Sequence, residues 1–169
     1  FIPLFTYWLY PLISKVFPLT ALRKITIGLF LAGFSFAILA VVETTISAGA
    51  TPSIIWQFWA YVILTAAEVM ISITGLEFSY TQSPNGMKSF VMGLWLLGVS
   101  LGNGITALVN VIIVNDDGTY KLNGSEYFWF FAVLMFVTAV AFVFLAYRYK
   151  VEDYIQTRES LDNPLMTEN

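Results

Sequence analysis

The sequence contains no cysteine and no histidine among its 169 residues. The chain therefore forms no disulfide and offers no thiolate nucleophile, no imidazole base and no familiar zinc site. Charged residues are scarce as well, at 11% of the chain against roughly 25% in an ordinary soluble domain. Eight lysines and arginines against eleven acids leave no basic surface for nucleic acid. Any proton chemistry in this chain has to use carboxylates or tyrosines.

The remaining composition is strongly apolar, with 58% hydrophobic and 17% aromatic residues and a mean hydropathy of +0.76. The apolar residues gather in five segments with few charges inside them: A at 1–14, B at 25–42, C at 54–80, D at 89–115 and E at 127–147. A helix rises roughly 1.5 Å per residue and a hydrocarbon core is roughly 30 Å thick, so segments B to E are long enough to span a bilayer. We predict an all-α polytopic membrane protein whose bundle, residues 1–150, has five transmembrane helices, at about 1–17, 22–44, 53–83, 87–113 and 126–149.

Segment A differs from the others in length. Its uncharged run, Phe1 to Ser14, contains Pro3 and Pro11 and would cover only about 21 Å as a helix. No basic stretch precedes this run and no small-residue cleavage site follows it, which argues against a signal peptide. Because the chain opens with Phe1 rather than methionine, we expect a fragment that is cut inside segment A.

The basic residues predict the orientation in the membrane. Seven of the eight lie in alternate loops: Lys15, Arg23, Lys24, Lys88, Arg148, Lys150 and Arg158. By the positive-inside rule the A/B loop, the C/D loop and the C-terminus are cytoplasmic, in a plasma (inner) membrane. The tail, residues 151–169, has five acids and little apolar content, so we expect a mobile cytoplasmic end.

Segment C carries a carboxylate deep within its apolar stretch. Glu68 lies 14 residues after Ile54 and 16 before Pro84, near the middle of the predicted span. An acid at that depth costs at least about 2 kcal/mol and normally faces a cavity or a partner rather than lipid. Polar and small residues recur there at helical spacing and form one stripe: Tyr61, Thr65, Glu68, Ser72, Gly75 and Ser79. The stripe favours the wall of a wet cavity; the alternative is a structural Glu68, ion-paired or protonated against a neighbouring helix.

Other polar and glycine positions leave alternatives open. We interpret Glu77 as an interfacial acid paired with Lys88 across the C/D turn. Gly98 and Gly102 form a GxxxG pattern that predicts close packing of a neighbouring helix on segment D. Trp95, about 10 Å inward from Lys88, is either a pocket wall or an ordinary packing residue. A second polar stripe on segment D fits interhelical hydrogen bonds as well as a substrate path: Asn103, Thr106 and Asn110.

The stretch Ala67 to Pro84, followed by Met87-Lys88-Ser89, resembles the tenth-helix signature of the proton-coupled oligopeptide transporters, the POT or PTR family. This family is a branch of the major facilitator superfamily. The flanking stretches agree, since Leu19 to Gly28 resembles the start of the ninth helix and Trp95-Leu96-Leu97 the eleventh. The resemblance implies that segments A to E are helices 8 to 12, the C-terminal half of a major facilitator fold. Ser83 departs slightly from the pattern, where alanine is commoner.

The resemblance also implies roles for individual residues. Glu68 matches the acid that receives the peptide's terminal ammonium, with Ser72 beside it and Trp95 as a pocket wall. The apolar constriction that closes the pocket from the cytoplasm would consist of Leu76, Tyr80 and Met92. The rest of the family's machinery would lie in the missing N-terminal half of the same protein.

We therefore expect a carrier and not an enzyme: a proton-coupled symporter of di- and tripeptides that works by alternating access in the lipid bilayer. Protons are the coupling ion, and no other cofactor and no metal are expected. Two alternatives stay open, a structural or channel-forming membrane subunit and a carrier of the same fold with a non-peptide solute.

Overall fold

The computed structural model describes Tyr7 and residues 20–114, 121–122 and 124–150. Within them the chain is helical, with α1 at Ala21–Ser47, α2 at Ile55–Thr81, α3 at Lys88–Ile113 and α4 at Gly124–Arg148. A 3₁₀ turn, Asn85–Met87, joins α2 to α3. Each of the four helices is long and apolar enough to cross a membrane.

The four helices correspond to the predicted segments B to E. The described residues contain four membrane-length helices and not the five that the sequence predicts. The predicted first helix, 1–17, lies outside the described residues except for Tyr7, and so does the predicted tail, 151–169. Helix α2 ends at Thr81 and not near residue 83, because Pro84 disfavours helical geometry at the residue before it.

Helix α1 is the central element, and small residues let α2 pack closely against one side of it. Ala60 and Ala67 of α2 are fully buried. The hydroxyl of Ser35, also fully buried, donates a hydrogen bond of 2.7 Å to the carbonyl oxygen of Ala60. At Gly28 a Cβ would lie 3.1 Å from the carbonyl oxygen of Ala67. The two backbones are therefore in near contact, as is common between membrane helices.

Helix α4 covers the other side of α1 through aromatic rings. Phe136 packs edge to face on Phe34, with ring centroids 5.3 Å apart, and lies against Gly33. Nearer the start of α4, the rings of Phe36 and Phe131 stack at 6.0 Å. Two different kinds of packing, small residues against α2 and rings against α4, thus fix the rotation of α1.

Helix α3 contacts the others near its two ends. Its first two turns face α2, where Lys88, Met92 and Trp95 are half-buried. At its other end Tyr127 of α4 donates a hydrogen bond of 3.0 Å to the side-chain oxygen of Asn110. Between these contacts, residues 96–108 are exposed throughout. Within the described residues, the middle of α3 therefore stands apart from the other helices.

The packing of α1 against α2 predicts a large effect of bulk at Gly28. A leucine there would collide with Ile71, whose Cγ1 would lie 2.8 Å from the new Cβ, and overpacking of this kind costs about 1 to 3 kcal/mol. We expect Gly28→Leu to lower the melting temperature of the purified protein in detergent. Ile27→Leu places the same side chain one residue away, at a position 40% exposed, and serves as the control. Equal melting temperatures for the two variants would contradict this packing.

Candidate functional site

The rotation of α2 decides which side chains face the rest of the bundle. Its contact with α1 runs through Ala60, Ala67 and Thr74, which are buried and seven residues apart on one face. Successive residues of a helix are turned by about 100°, so Glu68 points well away from this face. Glu68 is accordingly exposed, as are Thr65 and Ser72 on the same side of the helix.

Glu68 is the central residue of α2. In the 27-residue helix Ile55–Thr81, thirteen residues precede it and thirteen follow it. No residue within 20–114, 121–122 or 124–150 forms an ion pair or a hydrogen bond with its carboxylate. A charge at this depth requires water or a cationic group, because lipid tails supply neither. The arrangement can therefore bind a cation that reaches the side of α2 turned away from α1.

The other members of the predicted polar stripe lie in two different environments. Thr65 donates a hydrogen bond of 2.8 Å to the carbonyl oxygen of Tyr61, so its hydroxyl is satisfied within its own helix. Ser72, one turn after Glu68, is exposed beside it. Gly75 is buried under the indole of Trp95, and Ser79 is half-buried, with its backbone carbonyl oxygen accepting a hydrogen bond of 2.5 Å from the hydroxyl of Ser83. The open part of the stripe is thus the part around Glu68 and Ser72.

Trp95 closes this open face on the side of the α2/α3 hairpin. Its six-membered ring lies directly against Gly75. Gly75 follows Glu68 by seven residues, which places the two on nearly the same face of α2 and about 10.5 Å apart along its axis. The structure therefore brings Trp95 to the same face as Glu68 and Ser72, at one end of the exposed region.

The predicted gate residues lie at the hairpin end. Leu76 and Tyr80 are 41% and 47% exposed and are one turn apart on α2, on the side opposite α1. The ammonium of Lys88 lies 4.4 Å from the centre of the Tyr80 ring. Met92 follows Lys88 by one turn on α3 and is half-buried on the same face.

The predicted ion pair between Glu77 and Lys88 is wrong. Both residues are described, and no such pair is formed between them; Lys88 instead makes a cation–π contact with Tyr80. The reason is geometric. Glu77 precedes Tyr80 by three residues on α2, whereas the turn brings Lys88, the first residue of α3, directly over the ring.

The predictions made from the second polar stripe and from the GxxxG pattern of α3 have different outcomes. Asn110 accepts a hydrogen bond from Tyr127, and Thr106 donates one of 3.0 Å to the carbonyl oxygen of Gly102. The predicted helix neighbour of Gly98 and Gly102 is not found among the described residues, since no atom of theirs would lie within 4 Å of a Cβ at either glycine. A cavity of about 530 Å³ lies beside Asn110 and Tyr127, and Glu68 is not among the residues that line it.

The hairpin end has one contact that the sequence analysis missed. The ring of Tyr149, just after α4, packs edge to face on Phe78 of α2 at 5.6 Å, and its hydroxyl donates to the side-chain oxygen of Gln82 at 3.5 Å. The end of α2 that carries Tyr80 is thus held by α3 on one side and by Tyr149 on the other.

These features define a class: an integral membrane protein built from long apolar helices, one of which carries an exposed acid at its midpoint. The particular family follows from comparison with known proteins. The sequence model of the POT family, PTR2, matches residues 1–130. The chain belongs to the POT family, and the membership that the sequence predicts is confirmed.

Curated relatives and solved structures agree with this membership. The chain is 43% identical to peptide transporter family 1 of Drosophila melanogaster over 113 residues, which cover 67% of this chain and 14% of that protein. It is 31% identical to the peptide transporter PTR2 of Saccharomyces cerevisiae over 175 residues, covering 96% of this chain and 28% of that protein.

The crystal structure of an auto-inhibited POT family peptide transporter superposes with a TM-score of 0.83 at 32% identity, covering 92% of this chain and 32% of that one. The POT family transporter PepTSo superposes with a TM-score of 0.80 at 34% identity, covering 90% and 32%. The chain therefore spans between 14% and 32% of the length of these relatives.

The contact between Lys88 and Tyr80 makes a testable prediction. A cation–π pair contributes about 0.5 to 2 kcal/mol, depending on its exposure. We expect Lys88→Gln and Tyr80→Leu each to lower the melting temperature, and the double variant to lower it no further than the more harmful single change. Tyr80→Phe keeps an aromatic ring and should retain most of the stability. Additive losses in the double variant would show that the two side chains do not interact.

Proposed function

We propose that this chain is the C-terminal bundle, helices 8 to 12, of a proton-coupled symporter of di- and tripeptides. The carrier works by alternating access, and this bundle rocks against the missing N-terminal half. The printed names of the relatives support a peptide as the solute, because the two curated relatives and one of the solved structures compared above are named as peptide transporters.

The observation that carries this proposal is the placement of Glu68. The carboxylate lies at the midpoint of α2, is exposed on a side of the helix turned about 100° from the face buried against α1, and has no partner among the described residues. A peptide has a cationic amino end that can satisfy this charge, and in a low-dielectric cavity such a pair attracts strongly. In this proposal Glu68 binds the terminal ammonium of the peptide, Ser72 lies beside Glu68, and Trp95 forms a wall of the same pocket.

The α2/α3 hairpin forms the inner gate in this proposal. Leu76, Tyr80 and Met92 are large side chains at the hairpin end of α2 and α3, where the two helices approach each other. Bulky apolar groups that meet in a narrow passage expel water and block the passage of a polar solute. Opening the gate requires the hairpin to move as a unit, which the contact of Lys88 with Tyr80 favours.

The coupling ion is the proton, and the C-terminus lies on the cytoplasmic side of a plasma (inner) membrane. The alternate loops that hold most lysines and arginines support this orientation. A proton changes the charge of a carboxylate, and an uncompensated acid at the midpoint of a membrane favours the conformation that hydrates or pairs it. The proton gradient thereby biases the two states of the carrier.

Loss of the charge at position 68 tests the proposal directly. We expect Glu68→Gln in the full-length carrier to abolish uptake of a labelled dipeptide driven by an inward proton gradient, because the amide no longer neutralises the ammonium. Surface expression, measured by biotinylation, should stay unchanged.

Glu77→Gln is the matched control, since it removes the same charge from the same helix nine residues away. It should retain most of the uptake. Normal uptake by Glu68→Gln, or equal losses in both variants, would contradict the role assigned to Glu68.

Counterflow separates a carrier from a channel-forming or structural subunit. In vesicles loaded with unlabelled dipeptide, we expect labelled dipeptide to accumulate transiently, with saturation and with dependence on pH. A pore gives no such accumulation, because it does not alternate between two sides. Counterflow with another solute and none with peptides would show that the protein is a carrier but that peptides are not its solute.

A further inference from the structure

Gly75 is the point at which α3 approaches the polar face of α2. A Cβ at this position would overlap Cη2 of Trp95 and would lie 2.9 Å from Cζ3 of the same ring. Gly75 is buried in spite of having no side chain, because the indole covers it. The six-membered ring of Trp95 therefore occupies the volume that the side chain of any other residue would fill.

The contact between Gly75 and Trp95 lies beside the proposed solute site. Gly75 follows Ser72 by three residues and Glu68 by seven, so all three lie on neighbouring parts of one helix face. Beyond Trp95, residues 96–108 of α3 are exposed. Trp95 is thus the last half-buried residue of α3 before this exposed stretch, and its indole lies on α2 beside the exposed region around Ser72 and Glu68.

We propose that Gly75 is a positioning residue, whose missing Cβ sets where the Trp95 indole lies and thereby fixes the floor of the solute pocket below Ser72. The inference rests on the proposed function, since it takes Trp95 as a wall of the pocket. Gly75 itself touches no solute; it acts through the ring that it admits.

A methyl group at position 75 displaces the ring. The nearest atoms belong to the rigid end of the indole and lie against the backbone of α2, so the ring rotates out of its present rotamer or α3 shifts as a whole. Either movement places the indole farther from α2 and changes the shape of the pocket floor. Solute binding is affected first, because Glu68, Leu76 and Tyr80 lie on α2 and keep their positions when the ring or α3 moves.

A double-mutant cycle tests this inference in the full-length carrier. The four proteins are the parent, Gly75→Ala, Trp95→Phe and the double variant, and each is measured for dipeptide KM, maximal rate and melting temperature. A phenylalanine ring is shorter than an indole and leaves room for a methyl group. We expect Gly75→Ala to raise KM roughly fivefold or more with a smaller change in maximal rate, and to lower the melting temperature.

The double variant decides the outcome. We expect Gly75→Ala to have little effect in the Trp95→Phe background, on KM and on melting temperature alike, because the overlap has been removed. Gly104→Ala is the control, since the same change at a helical glycine with open space around it should leave KM at the parent value and should not lower the melting temperature. Additive effects of the two substitutions, or a parent-like KM in Gly75→Ala, would overturn the inference.

Failure of the proposed function gives a different pattern. If the parent carries no dipeptide but moves another solute, the cargo is wrong, and the cycle is repeated with that solute. If the parent moves no solute at all, Trp95 does not line a solute pocket, and both the proposed function and this inference are wrong. Coupling in melting temperature would still establish the contact between Gly75 and Trp95.

Discussion

A carboxylate at the midpoint of an apolar helix constrains how the whole bundle is arranged. Glu68 has thirteen residues of α2 on either side, and an ionised acid at such depth is stable only beside water or a positive charge. The helix therefore has to turn this side chain away from lipid and toward a polar space. The contacts that α2 makes with α1 and α3 meet this requirement.

Two contacts hold α2 in the required rotation. Small residues on α1 and α2, with the hydrogen bond from Ser35 to Ala60, fix the face that is buried against α1. On the neighbouring side, Trp95 lies on Gly75 and Lys88 lies over Tyr80, so α3 covers the hairpin end of α2 and leaves Glu68 open. The proposed solute site lies where this packing ends, between the contact of α2 with α1 and the local contact of α2 with α3.

The sequence predicts the four described helices because a bilayer demands long apolar helices, and that demand is visible in hydropathy and length alone. It also predicts Glu68 as the unusual residue, since the free-energy cost of an acid in a membrane depends on the position of that acid along one helix. Contacts between helices are different. The sequence favours a Glu77 to Lys88 pair by charge and spacing, but the turn geometry brings Lys88 over Tyr80 instead. The sequence predicts Gly75 only as one member of the polar stripe, because no neighbouring residue in the sequence indicates that a ring from α3 covers it.

The central claim is that the face of α2 around Glu68 borders water and solute rather than lipid. Because this chain has no cysteine, a single introduced thiol is the only one within these 169 residues, and the unsubstituted full-length carrier gives the background from any cysteine elsewhere. Ser72→Cys places a thiol one turn from Glu68, and Ala67→Cys places one in the fully buried contact with α1. The decisive measurement is the rate at which a charged, water-soluble thiosulfonate modifies each variant in membranes. The account predicts that Ser72→Cys reacts readily, that a dipeptide slows this reaction, and that Ala67→Cys does not react; an inert Ser72→Cys, or a reaction that dipeptide leaves unchanged, would contradict it.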